Sequence, residues 1–272
     1  MIPKLIFSDI DGTLINSGDE LSKENIETIK KLSSKDIPFI LVSARSPEEM
    51  IDYYHCLELN TPFISYNGGI ISKYEHNRFK IISDICIDPK ETEFVYEIIR
   101  TRFPTISLSL YSNTKWYASK LDKGVQYQKE LNGLSPVIMD LKELIQTGAP
   151  IHKIMMIGKT DVIIEAEKIL KKNTHLTSSI HRSGAYHLEV TNKKATKKNA
   201  VKFIIEQLYN IDANQVMAMG DNYNDWGMLK YVGLGVAMGN APQEIRDSVK
   251  FSTDTCINNG VAQAIERFVL RR

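Results

Sequence analysis

The sequence predicts an α/β protein with a mainly parallel sheet and an inserted α+β module. Three observations carry this expectation. The chain opens on a continuous apolar run, strand-like and helix-like segments then alternate, and that rhythm breaks near Ser83 and returns in the last third. The expected division is 1–83 and 188–272 for the core and 84–187 for the insertion.

Leu5-Ile6-Phe7 is apolar at every position, as a strand buried on both faces must be, and it runs into Ser8-Asp9. Ser22 caps a helix with Ile26, Ile29 and Leu32 on one face, and Ile37 to Val42 reads as the second strand. Ser46-Pro47-Glu48-Glu49 combines an N-cap, a proline at the first helical position and a capping-box acid, before a third strand at 63–66. Asn67-Gly68-Gly69 is a tight turn, after which Ile70-Ile71 and Phe79 to Ile85 read as a hairpin leading away from the sheet. The inserted unit then begins with a helix capped by Asp88-Pro89. Strands at 106–111 and 115–119, a helix, a strand at 151–157, a helix at 161–172 and a strand ending near Val190 follow. After Thr196 the alternation resumes with a helix at 197–209, a strand at 216–219, a helix from about Asp225 and a strand at 234–238. Helices after Pro242 and from Gly260 close the chain.

Composition narrows the function. The 272 residues carry 34 Lys+Arg against 33 Asp+Glu, and 43% are hydrophobic, which fits a globular protein and gives no bulk charge for holding a polyanion. No nucleic-acid partner is expected. No apolar run approaches the ~18 residues of a membrane span, and the first residues lack the pattern of a secretion signal. No membrane association is therefore expected, and a cytoplasmic location is. Cys56, Cys86 and Cys256 lie too far apart for a CxxC site, and the His residues form no HxH or HExxH pair. Any metal is expected to be oxygen-bound.

The chemistry concentrates at strand ends, where ligands bind in open α/β sheets. In extended backbone Asp9 and Asp11 point the same way while Ile10 turns to the core, and two adjacent carboxylates call for a hard cation such as Mg²⁺. A calcium loop lacks its glycine in the right place, a glycosyltransferase Asp-x-Asp site would need a nucleotide pocket, and turn-capping acids would not explain both residues. Ser43-Ala44-Arg45 follows the second strand and offers a hydroxyl and N–H groups for phosphate oxygens, although Ser43 also suits a turn and Arg45 a surface charge. Gly220-Asp221-Asn222-Tyr223-Asn224-Asp225 follows another apolar strand; Asn224 also suits an N-cap and Asp225 a first-turn acid. Two lysines at a helix start, within Lys193-Lys194-Ala195-Thr196-Lys197-Lys198, oppose the helix dipole and invite a use such as meeting an anion. Gly233 to Gly239 imitates a dinucleotide fingerprint with the wrong spacing.

Asp9-Ile10-Asp11-Gly12-Thr13, Ser43, Lys197 and Gly220 to Asp225 stand in the order of the four motifs of the haloacid dehalogenase superfamily. With Asn67-Gly68-Gly69 before the insertion and Ala237-Met238-Gly239-Asn240-Ala241 after the last motif, the chain resembles its Cof-type, C2-cap (class IIB) sugar-phosphate phosphatases. The resemblance implies a Rossmann-like core with a C2-type cap. Asp9 would be the nucleophile that forms an aspartyl-phosphate, and Asp11 the general acid and base, holding its proton through burial and the nearby carboxylates. Mg²⁺ would sit on the Asp9 carboxylate, the Asp11 carbonyl and Asp221. Ser43, Lys197, Gly12 and Asn224 would face the phosphate, with Asn222 and Asp225 supporting them. Lys194 and Lys198 replace customary glycines, and Asn259 a customary Asp. Arg45, Asn67, Trp116, His181 and Tyr186 would help select the substrate, a small phosphorylated metabolite. A phosphohexomutase and a low-turnover metabolite-binding protein are the alternatives, and a monomer or small homo-oligomer is expected.

Overall fold

The computed structural model describes residues 2–16, 18, 20–173 and 175–271. The chain divides into two compact units, one made of residues up to Ser83 and from Thr196 onward, the other of Asp84–Ala195.

In chain order the first unit opens with β1 (Leu5–Asp9), α1 (Lys23–Lys30), β2 (Phe39–Val42), α2 (Pro47–Cys56), β3 (Phe63–Ser65), β4 (Ile70–Glu75) and β5 (Arg78–Asp84). The local signals act as their chemistry dictates. The Ser22 side chain accepts the Asn25 N–H, and Ser46 and Glu49 form the reciprocal capping box that starts α2.

The second unit holds α3 (Pro89–Arg102), β6 (Ser107–Ser112), β7 (Lys115–Ala118), α4 (Lys123–Asn132), β8 (Val137–Ile138), α5 (Leu141–Gln146), β9 (Ile151–Ile157), α6 (Thr160–Lys172), β10 (Ser179–Arg182) and β11 (His187–Thr191). The chain then returns to the first unit with α7 (Lys197–Phe203), β12 (Val216–Gly220), α8 (Tyr223–Tyr231), β13 (Leu234–Ala237), α9 (Gln243–Asp247), β14 (Phe251–Ser252) and α10 (Gly260–Ile265).

Among the described residues the first unit forms an eight-stranded sheet in the order β14-β13-β12-β1-β2-β3-β4-β5. β1 pairs in parallel with β12 on one side and β2 on the other, so it lies in the middle with both faces covered. On one face Ile6, Leu41, Met217 and Met219 pack with Ile29, Met50 and Ile265; on the other Phe7, Ile40 and Ala218 pack with Val201, Ile204 and Met228. Each such Ile, Leu or Met taken fully out of water contributes roughly 1.5–3 kcal/mol. β4 and β5 do not lead away from the sheet as expected. They extend its edge, joined through His76 and Asn77, whose φ values of 52° and 58° make the tight two-residue turn that suits the strand twist.

The second unit carries a six-stranded sheet, β10-β11-β9-β6-β7-β8, with Leu108, Leu110, Ile154 and Met156 packed against Val95, Ile99, Ile163 and Leu170 of α3 and α6. The return to the first unit falls at Thr196 rather than near residue 188, because His187–Thr191 pairs with β9 and β10 and cannot leave that sheet. No helix among the described residues is long and apolar enough to cross a membrane.

Candidate active site

The parallel register decides what meets at the edge of the first sheet. Ser8 sits beside Met219 and Asp9 beside Val42, so Ser43 and Gly220-Asp221 continue from strand ends adjoining Asp9. Lys197 arrives from the start of α7, where the Thr196 side chain caps the helix on Asn199 N–H. Lys193, Lys194 and Lys198 are exposed, while Lys197 is 1% exposed.

The Lys197 ammonium lies 2.6 Å from Asp9 Oδ1 and 2.6 Å from Asp225 Oδ1. All of Asp9, Lys197 and Asp225 are buried. Asp225 does two jobs at once. Its Oδ2 accepts the N–H groups of Asp221 and Asn222 at 3.0 Å each, closing a capping box with Asn222 at the start of α8. The N-cap is thus Asn222, whose side chain takes the Tyr223 N–H, and the helix begins at Tyr223 rather than near Asp225. Asn224 is free of the capping duty and its Nδ2 donates to Asn67 Oδ1 at 3.0 Å.

Asp221 is held by the Thr13 hydroxyl at 3.0 Å and by Asn240 Nδ2 at 3.3 Å. Asn240 Nδ2 also donates to Gly12 carbonyl at 2.8 Å, and its carbonyl oxygen takes the Cys256 N–H. Thr13 and Asn240 stand inside the motifs of the sequence, but the Thr13–Asp221 and Asn240–Gly12 contacts join residues more than two hundred positions apart, which no local spacing states. Gly12 has φ of +75°, and a Cβ there would come within 2.5 Å of Asp221 Oδ2. Gly12→Ala is expected to cost roughly 1–2 kcal/mol for the left-handed backbone, besides displacing Asp221. Calorimetric melting checks this, and an unchanged transition would show that the loop has room.

Asp11 differs from its expectation. β1 ends at Asp9, and the chain folds back through Leu14 and Ile15 N–H bonds to the Ile10 carbonyl, so the strand alternation does not reach residue 11. Ile10 does point into the core, but the Asp11 side chain is 52% exposed and is gripped by Arg45, with Nε 3.1 Å from both carboxylate oxygens and Nη2 2.7 Å from Oδ1. The burial invoked to keep a proton on Asp11 is therefore not present. Ser43 is fully buried; its hydroxyl donates to Asp11 Oδ2 at 3.4 Å and accepts the Arg45 N–H at 3.1 Å. The Tyr66 and Asn67 N–H groups donate to the Arg45 and Ser43 carbonyls, both from left-handed backbone, which pins this loop to the end of β3. Arg45 also reaches the Tyr53 hydroxyl at 3.2 Å.

Trp116, His181 and Tyr186 belong to the second unit. Trp116 is buried and stacked on Tyr111, His181 Nε2 lies 4.0 Å from Glu189 Oε2, and Tyr186 is exposed.

The electrostatics follow from this packing. Burial and then the Asp225 charge raise the Asp9 carboxyl well above its usual range, against the pull of Lys197. Burial and Asp225 also raise Asp221. For Lys197 burial acts to lower the value, but Asp225 and Asp9 outweigh it and the ammonium is held above its ordinary value. The side-chain oxygens of Asp9, Asp221 and Asp225 lie within 4.8 Å of one another. Three carboxylates against one ammonium leave a surplus of two negative charges, and a hard divalent cation with oxygen ligands fits that donor set.

A family model for haloacid dehalogenase-like hydrolases matches residues 6–265. A Haemophilus influenzae protein named "Putative phosphatase" is 37% identical over 268 residues, 98% of each chain. A Bacillus subtilis 5-amino-6-(5-phospho-D-ribitylamino)uracil phosphatase is 28% identical over 267 residues, 98% of this chain and 96% of that one. Among solved structures, a haloacid dehalogenase-like hydrolase from Bacteroides thetaiotaomicron superposes with a TM-score of 0.87 at 29% identity, covering 97% of this chain and 99% of that one.

Proposed function

This chain belongs to the haloacid dehalogenase-like hydrolases and hydrolyses phosphoric monoesters; from that premise we propose a Mg²⁺-dependent phosphatase of small phosphorylated metabolites, sugar phosphates foremost, working through an aspartyl-phosphate. The observation that carries the reading is the Asp9 carboxylate, buried at the end of the central strand with one oxygen 2.6 Å from an ammonium. The phosphorylated ribityl chain named for the Bacillus subtilis relative supports a polyol or sugar phosphate as the substrate class.

Asp9 attacks phosphorus as the P–O ester bond breaks, which divides one hard displacement into two easier ones. Asp11, once released from the Arg45 guanidinium and protonated from solvent, gives that proton to the departing alkoxide and then takes one from the water that cleaves the acyl phosphate, releasing inorganic phosphate and restoring Asp9. Lys197 and the Ser43 hydroxyl face the phosphoryl oxygens, where positioned positive charge and hydrogen bonds supply most of the acceleration. Asp9, the Asp11 carbonyl and Asp221 would hold the cation, which offsets the repulsion between nucleophile and phosphate dianion. Asp225, Asn222 and Asn224 keep these groups in register, and Gly12 lets the backbone come close. Arg45 and Asn67 flank the loop that carries Ser43.

Phosphate release from a generic aryl phosphate is expected to stop with a chelator and to return with Mg²⁺. Full activity in the chelator would overturn the metal assignment, and isomer interconversion without phosphate release would favour a mutase. A panel of phosphorylated metabolites then ranks the leaving groups.

A further inference from the structure

A second constellation of ligating side chains lies at the start of the second unit, apart from the carboxylates above. Asp84 ends β5, Cys86 follows two residues later between β5 and α3, and His152 lies in β9 with its side chain fully buried. Cys86 Sγ is 3.3 Å from Asp84 Oδ2 and 3.5 Å from His152 Nε2, and that Nε2 is 3.5 Å from Asp84 Oδ2. Cys86 is fixed from its other side, because Asn192 Nδ2 donates to its carbonyl at 2.7 Å.

From these distances we propose that Asp84, Cys86 and His152 form a Zn²⁺ site. Around zinc, with bonds of about 2.3 Å to sulfur and about 2.0–2.2 Å to nitrogen and oxygen, neighbouring ligands of a tetrahedron stand about 3.3–3.6 Å apart. The three separations here already match one face of that tetrahedron without rearrangement of the backbone carrying them. A mixed thiolate, imidazole and carboxylate set selects zinc over magnesium, whose preference is for oxygen alone. Asp84 keeps 43% of its side chain exposed, so solvent reaches the fourth position.

Nucleophilic chemistry is the rival use of a Cys-His-Asp group. The Cys86 thiol donates to Asp84 Oδ2, and with His152 Nδ1 accepting the Asn113 N–H the imidazole proton sits on Nε2, the nitrogen that faces the sulfur, so the ring is not placed to act as a base for Cys86. Metal binding changes the balance as follows. The Sγ–H bond breaks, its proton goes to solvent, and the sulfur lone pair bonds zinc. The Asn113 N–H donates to His152 Nδ1 at 3.2 Å, which places the imidazole proton on Nε2 before binding. The Nε2 proton passes to solvent as that nitrogen's lone pair bonds zinc, and Nδ1 takes a proton from solvent, so the ring stays neutral and the thiol proton is the one released in all. Asn113 must turn its N–H aside; it sits at φ 52° between Ser112 and Lys115, in the two-residue turn joining β6 to β7.

Co²⁺ as a spectroscopic probe separates this site from the carboxylate cluster, which holds no sulfur. Titrating the full-length reduced protein with Co²⁺ is expected to raise a thiolate-to-metal charge-transfer band that saturates at one equivalent and is displaced by Zn²⁺. The band is expected to persist in a Cys56→Ser/Cys256→Ser double variant and vanish in Cys86→Ser, with at least tenfold weaker binding in Asp84→Asn. Absence of the band in the unaltered protein, its survival in Cys86→Ser, or unchanged affinity in Asp84→Asn would overturn the assignment. Phosphatase activity enters none of these readings.

Discussion

Asp9→Asn is expected to lower kcat for phosphate release by a factor on the order of 10³ or more, while leaving the melting temperature no lower than that of the unaltered protein. The chemical part follows from the loss of the oxygen that would carry the phosphoryl group, since removing a nucleophile typically costs several orders of magnitude. The stability part follows from the packing. Asp9 is a buried acid in a cluster with surplus negative charge, and burial and Asp225 raise its carboxyl above the ordinary 3.8. A group whose folded value is raised binds its proton first in the folded state, so its ionised form disfavours folding at higher pH. Without a divalent cation, stability should therefore rise as pH falls through the folded value of Asp9 toward 3.8, and this slope should flatten in Asp9→Asn. Melting in chelator across pH, with phosphate release from an aryl phosphate in Mg²⁺, checks both parts. Retention of more than a few per cent of the activity would remove Asp9 as the nucleophile.

Lys197→Met should be costly in both respects. It leaves Asp9 and Asp225 buried with the cation that faces both of them gone, and breaking a buried ion pair from one side typically costs about 3–5 kcal/mol. A comparable loss, on the order of 10²-fold or more in kcat, is expected because the phosphoryl oxygens lose their positioned charge. The pH dependence has a definite sign. The folded value of Lys197 is raised above its ordinary 10.5, so its contribution is complete below 10.5 and is lost as pH climbs past the folded value. In the Met variant the stranded Asp9 carboxylate regains stability by taking a proton as pH is lowered. Denaturant unfolding at two pH values, one neutral and one mildly acidic, measures the recovery; a variant that unfolds like the unaltered protein at neutral pH would show that Lys197 carries little of the cluster's balance.

Much of this architecture can be read from local chemistry. Capping at Ser22, Ser46 and Asp88 depends on residues two or three apart, and the apolar strands 5–7 and 216–219 advertise two-sided burial by their composition alone. Strand ends are therefore legible, and with them the groups Asp9, Ser43, Asp221 and Asp225. What the chain does just past a strand is harder to read. The alternation that puts Asp9 and Asp11 on one side holds only in extended backbone, and the fold-back on Ile10 ends it, so Asp11 faces Arg45. The placement of the hairpin 70–84 turns on whether its edge finds a partner, which no local signal states. Asn240 serves Gly12 and Asp221 through hydrogen bonds set by strand order, and Cys86 meets His152 across sixty-six residues; neither follows a spacing rule.

Asp225 spends one oxygen on the first turn of α8 and the other on the Lys197 ammonium. Helix initiation and the charge balance of the pocket are consequently a single trait as far as mutation is concerned. An asparagine there could keep a carbonyl acceptor for the helix start while surrendering the ion pair, and a glutamate would reach the lysine only by shifting the turn. Attempts to thermostabilise the protein by improving this helix start would thus be expected to trade away turnover, which makes position 225 one to leave alone in any engineering scheme.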